Sequence, residues 1–199
     1  MYARAPASCL PARGQVVSSF GRDGNPLLLF DAGNAAGTLY SSGISCFGLA
    51  IDPLGNVIAC CGSRIVKVQP HGVMITLAGS SNDGYADGAG NSASFYSPYG
   101  VAVDAGGNVI VADTGNHRIR KVTPGGVVTT LAGRWHGFVD ELTDGIGADA
   151  SFNVPLSVAV DASGNVIVAD SGNSRIRKVT PGGRCDHSCN CYLSSIRGT

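Results

Sequence analysis

Acidic, amide and basic side chains recur at fixed spacing in this chain. Asp104, Asn108, Asp113, Arg118, Arg120 and Lys121 return 57 residues later as Asp161, Asn165, Asp170, Arg175, Arg177 and Lys178. A worn copy keeps Asp52, Asn56, Arg64 and Lys67. Asp and Asn flanking a Gly-containing turn can bond the local backbone, so Asp113 and Asp170 (VADxGN) read as turn acceptors. The alternative is a metal ligand, but recurrence in each good copy suits geometry better than a single site. The basic residues would put a cationic cluster on each blade, able to meet RNA phosphates or an acidic partner. Pairing with loop aspartates is the competing reading, and the zero net charge favours it.

Other reactive residues give weaker signals. Cys60–Cys61 stands where the good copies have Ala–Asp. Vicinal cysteines can be redox-active or bind soft metals, but a decayed buried strand end is the simpler reading. Cys185, His187, Cys189 and Cys191 offer zinc ligands, yet their spacing matches no usual structural pattern. The loop Asp83–Asn91 (DGYADGAGN) lacks the alternating acids and terminal glutamate of a calcium loop. His71, His117, His136 and His187 are scattered, and no Ser/His/Asp order, phosphate loop or carboxylate pair emerges. The expectation is therefore no catalytic residue, no metal and no cofactor. Seven cysteines, an odd number irregularly spaced, are not read as a disulfide framework. None falls at equivalent positions in the two best copies, so the fold is expected not to need them.

These residues are set by a repeat. DAGGNVIVADTGNHRIRKVTPGG (Asp104–Gly126) recurs as DASGNVIVADSGNSRIRKVTPGG (Asp161–Gly183), differing only at Gly106/Ser163, Thr114/Ser171 and His117/Ser174. A third copy, two residues shorter, starts at Asp52. A period of about 50–60 residues points to a propeller, solenoid or array. Within one unit, Tyr99–Val103, Asn108–Ala112, Arg118–Thr123 and Val127–Leu131 are short β-branched runs divided by Gly, Asn and Pro turns. Four such strands make a propeller blade, and no segment carries a helical apolar period. A longer connection follows each fourth strand and ends in Ala-Ser-Phe then Pro. Phe95 and Phe152 are expected to plug the gap between blades, with Pro98 and Pro155 setting the entry to the next strand. Asp52, Asp104 and Asp161 with Asn56, Asn108 and Asn165 are repeat positions of structural type.

At 199 residues, 44% hydrophobic and 14% charged, the chain can bury a globular core. No apolar run is long enough to span a bilayer, and the first residues lack the apolar centre of a secretory leader. The expectation is a soluble intracellular chain with no DNA or membrane partner.

The run PxGVAVDxxGNVIVADxGNxRIRKVTPGG, with VVTTLAG and the DGxG/ASF loop, resembles the NHL repeat family over residues 48–183. The resemblance implies an all-β, usually six-bladed β-propeller presenting protein, RNA or small-molecule sites on one face. A minority of such propellers are lyases or lactonases with metal in the channel. Their ligand positions would fall at Cys46–Phe47, Pro98–Tyr99 and Pro155–Leu156, where no histidine or acid repeats.

The chain divides into an irregular segment 1–14, repeats over 15–183 and a non-repeat tail 184–199. Blades start near residues 48, 100 and 157, preceded by an outer strand at 15–21; the last blade has three strands before Arg184. Three to four blades are too few to close a ring. The chain is then either a piece of a longer propeller or half of a homodimer that closes six blades. The function expected is a non-catalytic binding or scaffold module with a protein partner. A propeller enzyme is the alternative, and RNA binding through the basic clusters comes third. The variable connection with Trp135 and Phe138, and the loop aromatics Tyr85, Tyr96 and Tyr99, are the expected contact residues, together with Arg118, Arg120, Lys121, Arg175, Arg177 and Lys178.

Overall fold

The turn residues fix the register of each strand pair. The Asn108 amide N–H donates to Asp104 Oδ1 at 2.8 Å, the Asn108 side chain donates to Asp104 Oδ2 at 2.8 Å, and Gly107 N–H donates to the Asp104 carbonyl. The same arrangement closes the turns at Asp161–Asn165 and Asp52–Asn56. Each such turn starts a five-residue strand rich in Val and Ile, and the pleat then carries alternate side chains to opposite faces.

A computed structural model describes residues 16–20, 26–31, 36–39, 46–70, 73–135 and 143–189, with side chains over 46–70, 73–135 and 143–186. Its strands form antiparallel meanders. Strands β1 (Val16–Phe20), β2 (Pro26–Asp31) and β3 (Ala36–Leu39) make a three-stranded sheet. The first full blade is β4 (Cys46–Ile51), β5 (Val57–Cys61), β6 (Arg64–Val68) and β7 (Met74–Ala78). The second combines β9 (Pro98–Val103), β10 (Val109–Asp113), β11 (Arg118–Val122) and β12 (Val127–Ala132). The third is β14 (Pro155–Val160), β15 (Val166–Asp170), β16 (Arg175–Val179) and β17 (Arg184–Cys189). Two-residue strands β8 (Gly88–Ala89) and β13 (Gly145–Ile146), from the connections, pair with the outer edges β12 and β17. An edge that would otherwise offer free N–H and C=O groups is thereby partly covered. The fold is an all-β, propeller-type array.

The core lies between blades. Ile58, Cys60 and Ile65 of the first blade meet Val101, Val109, Val111, Val122 and Val128 of the second around Phe95. Ile110, Ala112 and Ile119, on the second blade's other face, meet Val158, Val166, Val168, Val179 and Cys185 around Phe152. Both phenylalanines are buried in these seams. Neighbouring inner strands approach closely at Gly48, whose φ is +44°, and an added Cβ there would lie 2.1 Å from the Tyr99 carbonyl oxygen. Only glycine fits that contact.

The structure departs from the sequence expectation at both ends of the array. The third blade is complete, because Arg184–Cys189 supplies its fourth strand from the segment set apart as a tail. Its residues do not resemble VVTTLA, but strand pairing is a backbone interaction and tolerates the change. Val16–Phe20, expected as an outer strand preceding the blades, pairs with Pro26–Asp31 in a three-stranded sheet whose other two strands the repeat reading does not contain. The cysteines also need correction. Cys46 and Cys61 face each other across β4 and β5 and form a disulfide with an S–S distance of 2.03 Å.

Candidate binding face

Each blade has two ends. One carries the Asp–Asn turns described above. At the other, the inner strand begins, the second strand ends and a tight turn, 3-10 in the second and third blades, leads into the third strand. This second end collects the aromatic residues. Tyr99 is the second residue of β9, and its ring stacks on Phe47, the second residue of β4, with centroids 4.6 Å apart and planes 17° from parallel. Leu156 holds the same place in β14. The Tyr96 N–H donates to Asp113 Oδ1 at 2.9 Å, which holds Tyr96 over the turn Thr114–Asn116. His117 closes that turn with left-handed φ of 56°, and Trp135 meets its ring edge-on at 4.9 Å. His117 Nδ1 accepts from the Val154 N–H at 3.2 Å. The Arg118 guanidinium lies 3.8 Å above the Tyr85 ring, and the Tyr85 hydroxyl is 3.1 Å from Thr130 Oγ1.

Phe47, Tyr85, Tyr96, Tyr99 and Trp135 are all exposed by 39–48%. Among the described residues, every exposed Phe, Tyr and Trp lies at this end of the blades. The opposite end exposes aliphatics instead, with Leu54 at 80% in the Asp52–Asn56 turn. Tyr85, Tyr96, Tyr99 and Trp135, expected as contacts, therefore share one face. Phe138 lies outside the described residues. From sequence, Phe47 stands only at a channel position and His117 only among scattered histidines; the alignment of Phe47 with Tyr99 across the copies is the signal that marks Phe47 as a contact residue.

The basic residues behave differently. Arg120 and Arg177 have no exposure at all. Arg120 donates to Asp113 Oδ2 at 2.6 Å, Asp87 Oδ1 at 2.7 Å, the Ala86 carbonyl at 2.7 Å and the Ser94 carbonyl at 3.1 Å. Arg177 repeats this with Asp170 at 3.0 Å, Asp144 at 2.8 Å and the Thr143 and Ser151 carbonyls at 2.9 Å. Each arginine pins the incoming connection to its blade and is unavailable to a partner.

Arg118 and Arg120 share one sheet face, and the pleat turns Lys121 to the other. Arg118 is at the aromatic end, whereas Lys121 is near the Asp–Asn turn end; Arg175 and Lys178 repeat the division. The basic residues therefore do not form one stripe. Lys67 lies 3.7 Å from Asp52, an ion pair of the kind that would neutralise such charges.

Burial pushes the carboxyls of Asp113 and Asp170 above their ordinary value, opposed by Asn116 or Asn173, by a backbone N–H and by the partner arginine. Their oxygens are occupied by these donors, so both carboxylates serve the blade's own geometry. Among the described residues no three His, Cys, Asp or Glu side chains converge as a metal cluster.

The NHL repeat family matches residues 95–122 and 152–179. Each match runs from a buried seam Phe through the Asp–Asn turn and the Asp–Arg pin to the end of the third strand. The chain carries NHL repeats. It is 39% identical over 97 residues to NHL repeat-containing protein 2 of Gallus gallus, covering 48% of this chain and 13% of that protein. This NHL array also resembles an auxiliary nutrient binding protein of Bacteroides thetaiotaomicron, with TM-score 0.62, 22% identity, and coverage of 83% and 43% of the two chains. A gluconolactonase of Xanthomonas campestris has TM-score 0.54 and 15% identity, with coverage of 84% and 52%. At those identities the likeness concerns the fold. The NHL chain spans only a small part of its curated relatives and about half of these propellers.

Proposed function

We propose that these NHL blades act as a binding module whose aromatic face receives a protein segment. The observation that carries this reading is the grouping of every exposed described aromatic at one end of the blades. Large, semi-rigid aromatic side chains supply contact area at low entropic cost and are enriched in the energetic centres of protein interfaces. Burial of Arg120 and Arg177 weakens the case for RNA, because it takes two charges out of the phosphate-binding set. A catalytic propeller is supported by likeness of fold alone, and function does not follow from fold.

The test is selection of displayed peptides on the chain, followed by titration against variants. Tyr99→Ser and Trp135→Ser should each weaken binding about tenfold or more, while Leu54→Ser at the opposite end should not. Peptides that bind all variants equally would remove the face from consideration. Retention of single-stranded RNA, weakening steeply with salt, would favour the nucleic-acid reading instead.

A further inference from the structure

The first blade lacks the Asp–Arg pin of the other two, and the replacements are coordinated. In the second and third blades Asp113 and Asp170 end the second strand opposite Pro98 and Pro155. Arg120 and Arg177 stand opposite Val111 and Val168 in the third strand. The equivalent register positions in the first blade are Cys61, opposite Cys46, and Val66, opposite Ala59. Asp, Pro and Arg have thus become Cys, Cys and Val together. Cys46, Ala59, Cys61 and Val66 form a small buried cluster there, and the Asn of the 3-10 turn is missing from the shorter Gly62–Ser63 link.

We propose that the Cys46–Cys61 disulfide is the first blade's substitute for the buried ion pair, making this blade alone dependent on oxidation. A buried Asp whose Arg is lost would be left as an uncompensated buried charge, which is strongly destabilising. Replacing both partners with apolar side chains removes that penalty but also removes the tie by which the carboxylate at the end of the second strand holds the segment entering the first strand, as Asp113 holds the Tyr96 N–H. The covalent bond restores the tie. Reduction by a dithiol breaks the S–S bond: two electrons and two protons pass to the Cys46 and Cys61 sulfurs, and the dithiol closes to its own disulfide. Nothing then replaces the tie in this blade, whereas the ion pairs of the other two are indifferent to the reductant. Such a bond forms and persists in an oxidising compartment, contrary to the intracellular expectation.

The test is peptide-resolved hydrogen exchange of the chain with and without dithiothreitol, with non-reducing peptide mapping of the linkage. The linked peptide containing Cys46 and Cys61 should be found. Reduction should raise exchange over residues 57–68 at least tenfold and leave 109–122 and 166–179 within about twofold. The triple change Cys46→Pro, Cys61→Asp, Val66→Arg should abolish the response to dithiothreitol. If that variant does not fold, the wild-type comparison decides alone. Unchanged exchange over 57–68 after complete reduction, or absence of the 46–61 link in the oxidised chain, would overturn the proposal.

Discussion

Arg120 Nη1 lies 2.6 Å from Asp113 Oδ2, and neither side chain has any exposed surface. The pair recurs at 3.0 Å between Arg177 and Asp170. Around it converge the end of the second strand, the middle of the third and the connection from the preceding blade. A sequence position that resembles a surface charge is therefore the point at which two blades are joined.

Removing one member should be costly. Arg120→Met leaves Asp113 buried beside Asn116 and the Tyr96 N–H without its cation, and about 3–5 kcal/mol of stability should be lost. Urea unfolding followed by the second blade's exchange-resistant amides would measure it. The double variant Asp113→Ala, Arg120→Met should lose less than the sum of the single changes, because the second change relieves the charge stranded by the first.

Equivalent residues in the second and third blades should differ in cost. Ile119 is fully buried against the third blade, whereas its counterpart Ile176 is only partly buried. Ile119→Ala should cost about 2–5 kcal/mol. Ile176→Ala should cost less than half of that, since less apolar area is withdrawn from water. Equal losses in denaturant titrations would mean that another surface, such as a second copy, covers the third blade's open face.

Acid should act on the Asp161–Asn165 turn. Hydrogen bonds from the Asn165 side chain, its backbone N–H and the Ser163 N–H hold Asp161 below the ordinary value of 3.8. A depressed folded value means that its contribution is present above pH 3.8 and is lost as pH falls through the folded value. Asp161→Asn should therefore flatten the acid limb of the stability profile, measured by thermal melts across the pH range below 5. An unchanged slope would refute that assignment.

The free thiols should be inert. Burial pushes the Cys185 thiol up to about 12 and carries Cys60 higher still. Alkylation with iodoacetamide at pH 8.5 should leave both unlabelled in the folded chain and label both after unfolding, read by peptide mass spectrometry. The sign for stability is opposite to that of Asp161. The raised Cys185 value favours the folded state below the ordinary thiol value of 9.0, and that advantage is lost as pH climbs toward 12.

His117→Ser makes the turn match its counterpart at Ser174, which holds a left-handed φ of 51°. The loss should not exceed about 1 kcal/mol, one hydrogen bond from Val154. Trp135 emission should shift, because its edge contact with the imidazole disappears.

The strands, their turns and the repeat itself were legible in the chain, because a blade is assembled from local signals. Asp and Asn closing a Gly turn, β-branched runs of about five residues and Pro at a strand entry act over a few positions. They determined the all-β array, the strand boundaries of the second blade within about one residue, and the seam positions of Phe95 and Phe152. The tertiary structure decided which charges face water. Arg118, Arg120 and Lys121 look alike in sequence, but alternation sends Lys121 to the opposite face, and the incoming connection buries Arg120 completely while leaving Arg118 partly exposed against Tyr85. It also decided that Arg184–Cys189 completes a blade and that Cys46 meets Cys61. The first outcome depends on backbone pairing of a segment without repeat signal, and the second on a strand register that sets two cysteines opposite each other where the other copies have Pro and Asp. The aromatic face has the same origin: Phe47 and Tyr99 are 52 positions apart in the chain and touch only because two inner strands pack side by side across Gly48.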